Sequence, residues 1–247
     1  MRAWLCVLAL AGCDRVFGIG DPYEDAAGST SGSDAAIDTV GTLDGTGPPT
    51  PAVLAHFSFD TDYTNSVNRT AAVCLGTGCM LDTVGGHSGG QVYLDGSSCL
   101  SFGLAATPVT YTIALWVKAQ NIRQTTLLAR PEISGSASQT WKISGNSTVI
   151  EYDTWDGTNT DALLSGPGLS ASYEQVVVTF DGSYKHLFID GVHETMGAAT
   201  PVATADGTVF LGCESAATND KLDGYLDEIY IYDGALTAAQ VTALYNL

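Results

Sequence analysis

The chain is short of positive charge. Its 247 residues carry nine Lys and Arg against 27 Asp and Glu, a formal net charge of −18 and a sequence pI near 4.1. Phosphate backbones are gripped by clustered Lys and Arg, so a nucleic-acid partner is excluded. An anionic membrane surface is disfavoured on the same ground. Long apolar runs are lacking too: the stretch from Ala3 to Leu10 falls far short of the ~20 residues that span a bilayer. Cysteine is scarce, six in all, and no Cys-x-x-Cys pair occurs, which argues against a zinc knuckle. Gly86-His87-Ser88-Gly89-Gly90 has the letters Gly-x-Ser-x-Gly but not the following helix of a nucleophile elbow, and His56, His87, His186 and His193 are scattered, so no nucleophilic triad emerges. The Asp-x-Asp-x-Asp-Gly spacing of an EF-hand is absent. The loop Gly85-Gly86-His87-Ser88-Gly89 has neither the Lys nor the following helix of a phosphate loop.

What is present begins at the amino terminus. Met1-Arg2, the short apolar run and the small residues after it have the order of a secretory signal. Leu10-Ala11-Gly12-Cys13 resembles the bacterial lipobox, in which the Cys becomes the lipid-modified first residue of the mature chain. The resemblance implies a signal peptide over residues 1–12, lipidation of Cys13, and a membrane partner held through the lipid anchor. Stable anchoring takes more than one acyl chain. The expected location is a bacterial cell envelope. Asp14 is a residue that retains lipoproteins in the inner membrane of enteric bacteria, but that rule is not general, and the outer surface is favoured. Residues 13–51 then form a tether of Asp, Gly, Ser, Thr, Ala and Pro with too few apolar residues to bury a face, and disorder is expected there.

From residue 52 to 247 the texture is that of one all-β domain. Short alternating segments recur between Gly, Asp and Asn clusters, as in an antiparallel sandwich. Val53, Ala55, Phe57 and Phe59 share a face of a first strand. Further strands are expected at 92–94, 112–117, 126–129, 140–143, 149–152, 176–180, 185–189, 208–211 and 225–232. Asp181-Gly182 separates two of them as a hairpin turn. Thr237-Ala238-Ala239-Gln240 is a capping box for a short C-terminal helix, with Leu236 and Val241 spaced as a hydrophobic staple. With Cys6 in the signal and Cys13 lipidated, Cys74, Cys79, Cys99 and Cys213 remain. In an exported chain they imply two disulfides, for which three connectivities exist. The two glycines between Cys74 and Cys79 ease a short loop. That favours Cys74–Cys79, and with it Cys99–Cys213.

Several segments taken in order are more specific. They are His56-Phe57-Ser58-Phe59-Asp60, Gly89-Gly90-Gln91-Val92-Tyr93-Leu94-Asp95-Gly96, Tyr111-Thr112-Ile113-Ala114-Leu115-Trp116-Val117-Lys118, and Gly224-Tyr225-Leu226-Asp227-Glu228-Ile229. The second half adds Val178-Thr179-Phe180-Asp181-Gly182 and Leu187-Phe188-Ile189-Asp190-Gly191. Together they resemble the laminin G-like jelly-roll domain of the concanavalin A-like lectin and glucanase superfamily. The resemblance implies a two-sheet antiparallel jelly roll whose first and last strands are neighbours. It also implies a structural calcium ion near the end of the first strand, held by Asp60, Asp62 and Asp227, with Asn65 as a further ligand. Asp223 is a candidate without a family counterpart. Calcium takes six to eight oxygens, and Asp60 and Asp62 as plain turn residues are the competing reading.

Two further constellations bear on function. Glu151-Tyr152-Asp153-Thr154-Trp155-Asp156 resembles the Glu-x-Asp-x-x-Glu strand of laminarinase-type hydrolases, in which a retaining pair stands about 5–5.5 Å apart. Here the last acid is one methylene short and begins an Asp-Gly turn, so surface acids are the competing reading. Trp155 and Tyr152, with Tyr173, are candidates for stacking on sugar rings, whereas Trp116 and Trp141 are expected in the core. The fold settles no function by itself. The expectation is an envelope-anchored, non-catalytic recognition module for an extracellular polysaccharide or a surface protein. A glycan hydrolase and a structural or adhesive lipoprotein are the alternatives.

Overall fold

The computed structural model describes residues 48–105, 108–131, 139–155, 160–199 and 207–247. Cys13, the signal, most of the tether and Asp156 lie outside the described residues.

Fifteen strands are described, in two antiparallel sheets. The first sheet holds β1 (Val53–Phe57), β3 (Cys79–Asp82), β4 (Gln91–Asp95), β6 (Tyr111–Ala119), β11 (Glu174–Phe180), β12 (Tyr184–Ile189), β13 (Val192–Ala198) and β15 (Asp223–Tyr232). Its order is β13-β12-β11-β6-β15-β4-β3, with β1 also paired to β15. The second holds β2 (Val73–Leu75), β5 (Cys99–Gly103), β7 (Thr125–Pro131), β8 (Gln139–Gly145), β9 (Ile150–Trp155), β10 (Thr160–Ser165) and β14 (Thr208–Leu211). There the order is β10-β9-β8-β7-β14-β5-β2.

Alternation decides which side chains meet between the sheets. Ile113, Leu115 and Val117 of β6 enter a core shared with Val176 and Val178 of β11 and with Ile143, Tyr152 and Leu211 of the second sheet. Ala55, Phe57 and Phe59 join it. Near one edge Lys185 of β12 also turns inward. Its Nζ lies 3.4 Å from the Tyr152 carbonyl and 3.3 Å from Thr154 Oγ1, and it donates to the carbonyl of Asp161.

The expected neighbourhood of first and last strands is present: Phe57 faces Ile229 and His56 faces Tyr230. So is the hairpin at Asp181-Gly182, where Asp181 Oδ1 accepts the amides of Ser183 and Tyr184 at 2.7 Å. The closing helix, α1 (Ala238–Tyr245), begins at a complete Thr237/Gln240 capping box, and the staple residues Leu236 and Val241 are buried. Both favoured disulfides form, Cys74–Cys79 and Cys99–Cys213. β2, β3, β5, β10 and β13 were not expected. β2 has three residues, and β13 is a polar, largely exposed edge strand with almost no alternation to read.

Candidate ligand-binding site

β15 runs beside β6 along most of its length but changes partner on its other side. Residues 223–226 pair with β4, and residues from 229 onward pair with β1. At the changeover the register with β6 slips between Asp227 and Tyr230. Glu228 sits in this bulge with φ 45°, a left-handed conformation that non-glycine residues adopt only when their surroundings hold them there. A bulge breaks the alternation, so Asp227 and Glu228 serve different neighbours.

Asp227 is fully buried and ties down the glycine loop that precedes β4. Its Oδ2 accepts the Ser88 amide at 3.0 Å and its Oδ1 accepts the Glu228 amide at 2.8 Å. Asp60 holds the same loop from the other side, its Oδ1 accepting the Gly90 amide at 2.8 Å. Gly90 is so close to the segment that follows β1 that a Cβ there would clash with the Phe59 carbonyl oxygen. Burial pushes the Asp227 carboxyl up to about 7, with the charge of Glu228 adding to the rise and the amide bonds opposing it.

Glu228 points its carboxylate at the outer face of the sheet. Oε2 accepts from His56 Nε2 and from the Tyr230 hydroxyl, both at 2.9 Å. A carboxylate only accepts, so His56 Nε2 carries a proton, and Nδ1 lies within hydrogen-bond distance of Ser66 Oγ at 2.9 Å. The His56 and Tyr230 rings stack at 4.0 Å. Both bonds fall on Oε2, which leaves Oε1 for a further donor.

These groups border a cleft of about 130 Å³ lined by His87, Ser88, Trp116, Gln175, Glu228 and Tyr230, with Leu244 of α1 and Leu247 as apolar wall. His87 stacks on Trp116 at 3.4 Å, and Tyr245 packs against the same indole at 5.5 Å. Partial burial pushes the His87 imidazole down. Gln175 is 2% exposed, and its Oε1 has no hydrogen-bond partner. Among the described residues, no Lys or Arg lines the cleft. Aromatic rings beside a few polar groups are the usual composition of a small-ligand pocket.

The residues singled out in the sequence divide. Tyr152 is corrected: it is wholly buried between the sheets, its hydroxyl 2.6 Å from that of Tyr111, and offers no platform. Trp155 ends β9 on the outer face of the second sheet and is half-buried. Trp116 is corrected in the other direction. Because Ile113, Leu115 and Val117 fill the core, Trp116 and Lys118 project from the opposite face. Lys118 shares an apolar strand with Trp116 and has its parity; that was the available sign. Tyr173 stands on the same outer face, its hydroxyl bonded to Gln91 Oε1 and its ring edge toward His87. Nothing in the sequence marked Gln175 or Tyr230.

The calcium set does not assemble. Asp62 is exposed and caps its own turn, accepting the Thr64 amide at 2.7 Å; the Thr64 side chain first, and then this amide, hold its carboxyl below the usual range. Asn65 is buried with Oδ1 committed to the amides of His56 and Val67. Its Nδ2 has no partner, and an amide N–H₂ repels a cation. Asp60 and Asp227 serve the glycine loop as above, and Asp223 accepts from the Tyr93 hydroxyl. Among the described residues no group of three or more His, Cys, Asp or Glu is placed to hold a metal ion. These residues therefore do not fit calcium as a ligand set.

On the second sheet Glu151 and Asp153 share the outer face, as alternation requires. Lys142 lies 3.5 Å from Asp153 Oδ2 and 3.8 Å from Glu214 Oε2. Burial and the neighbouring Glu151 push Asp153 up to about 6. The third acid of the hydrolase motif, Asp156, is outside the described residues.

A family model described as concanavalin A-like lectin/glucanases superfamily, of the laminin G type, matches residues 88–242. The chain belongs to this superfamily. Among curated proteins none matches the chain significantly. Domain 4 of AbnA, an extracellular GH43 arabinanase from Geobacillus stearothermophilus solved with arabinotriose, is 23% identical with a TM-score of 0.59, over 79% of this chain and 98% of that one. The binding domain of Paraclostridial Mosquitocidal Protein 1 is 15% identical with a TM-score of 0.64, over 78% and 52%. The binding domain of botulinum neurotoxin serotype G is 13% identical with a TM-score of 0.63, over 78% and 50%. This chain thus spans about half the length of the toxin domains it matches. At these identities the likeness is one of fold.

Proposed function

We propose that this laminin G-like protein is a non-catalytic recognition module, anchored to a bacterial envelope through Cys13, that binds an extracellular glycan in the cleft beside Glu228. The observation that carries the reading is the cleft itself: stacked aromatic rings, a carboxylate with a free oxygen, and a buried glutamine whose Oε1 lacks a partner. Apolar ring faces and convergent polar groups suit sugar rings and their hydroxyls. The arabinotriose bound by the arabinanase domain lends support by analogy of fold alone. The lipobox and the tether composition support display on an envelope surface.

The test uses the full chain with Cys13→Ser, passed over immobilised polysaccharides while released reducing sugar is assayed. Retention without release is expected. Release that disappears with Glu151→Gln would replace this reading with the hydrolase. Neither retention nor release would replace it with a structural or protein-binding role.

A further inference from the structure

We propose that the cleft beside Glu228 is a site for the free ammonium group of an amine-bearing sugar. The proposal rests on the glycan reading above and narrows it.

The lining has one kind of charge. Glu228 contributes the carboxylate of the lining, and no Lys or Arg among the described residues borders the space. An anionic sugar would meet Glu228 with no Lys or Arg in the lining to offset the repulsion. An ammonium group would meet Glu228 Oε1, the oxygen not used by His56 and Tyr230, in a charge-assisted hydrogen bond. Three aromatic residues complete the lining: Trp116, Tyr230 and His87. His87 stacks on one face of Trp116 and His56 on one face of Tyr230, so a cation–π contact is confined to the ring faces these leave open. Burial pushes the His87 imidazole down, so at neutral pH it adds a ring rather than a competing charge.

The same sheet face already holds one ammonium this way. Lys118 Nζ lies 4.6 Å from the centroid of Tyr173 and 4.3 Å from that of Tyr225. Gln175 supplies what a bare cation site would not need. Its amide is 2% exposed and lacks a partner at Oε1, and by rotation it offers either a donor or an acceptor. A hydroxyl next to the amine on a sugar ring uses both. N-acetylation would abolish the charge and add bulk, removing the contact with Glu228.

The experiment titrates the full Cys13→Ser chain with three oligosaccharides of equal length: glucosamine, N-acetylglucosamine and glucose oligomers. Calorimetry and tryptophan fluorescence follow binding. The glucosamine oligomer is expected to bind at least about tenfold tighter than the other two, with an affinity that falls as salt is raised. Glu228→Gln is expected to bring it to the level of the neutral oligomers. If that variant is unstable, the three-ligand comparison on the parent chain decides alone. Equal binding of all three, independent of salt, overturns the ammonium site and leaves the glycan reading standing. No binding of any of them overturns the ammonium site, and the glycan reading is then decided by retention on the immobilised polysaccharides.

Discussion

The carboxylate of Asp227 accepts the backbone amide of Ser88 at 3.0 Å, across 139 positions of sequence. That contact fastens the glycine loop to the one place where β15 changes partner. It also makes the stability of the domain depend on pH. Asp227 is pushed from an ordinary value of 3.8 up to about 7, first by burial. Between those values the folded chain holds a proton that the unfolded chain releases. The contribution is therefore fully present below about pH 3.8 and is lost as pH rises through about 7. Comparing the melting temperature of the parent with that of Asp227→Asn across this window isolates it. The difference between the two is expected to shrink or reverse as pH rises, because only the parent has a buried charge to form. A difference independent of pH would show that Asp227 is ionised throughout.

Lys185 is the other buried charge with a structural consequence. Its side chain is 1% exposed and reaches from β12 of the first sheet to the carbonyls of Tyr152 and Asp161 and to Thr154 Oγ1 on the second. Burial pushes its pKa down, while Asp161 and Asp153 oppose that shift. Truncation removes the ammonium donor that these buried oxygens share. Lys185→Ala is expected to cost about 3 kcal/mol in urea denaturation, and Lys185→Met less, since it keeps the packing of the stem. Equal losses would mean that packing, not the ammonium, holds the edge.

Alternation and turn chemistry made much of this fold legible. Asp181-Gly182, the run at 176–180 and the Thr237/Gln240 box each act locally, so their signals survive in a single sequence. The cleft was not legible because it depends on a break in alternation. A bulge at Glu228 reassigns faces within β15, and no local residue announces it. Tyr152 was misread although alternation carried the answer: Glu151 and Asp153 on either side face outward, which turns Tyr152 inward, where its hydroxyl meets that of Tyr111. Trp116 was misjudged because both faces of β6 are covered, one by the second sheet and the other by His87 and Tyr245.

Calcium was expected from resemblance, and the residues argue otherwise. Asp60 and Asp62 each spend one carboxylate oxygen on a backbone amide, Asp227 spends both, and Asn65 turns a partnerless N–H₂ inward. The melting temperature should therefore be the same in EDTA and in millimolar calcium. A rise in calcium of several degrees, abolished by Asp60→Ala, would restore the ion and require the loop carboxylates to reorient.

The two disulfides should differ sharply in what they contribute. Cys74–Cys79 spans five positions and joins β2 of one sheet to β3 of the other. Cys99–Cys213 spans 114 positions and is buried beside the β5–β14 pair. Loop-closure entropy assigns about 2 kcal/mol to the first and about 5 kcal/mol to the second. The larger figure is comparable with the whole stability of many domains, about 5–15 kcal/mol. Replacing Cys99 and Cys213 together by Ala is thus expected to leave a domain that unfolds at low urea. Replacing Cys74 and Cys79 should lower the midpoint only modestly. Burial also orders their reduction. Under native conditions a thiol reductant reaches the half-exposed Cys74–Cys79 pair first, and Cys99–Cys213 opens only with unfolding. Mass spectrometry of alkylated samples taken along a reduction course reads this order directly, and early labelling of Cys213 would refute it.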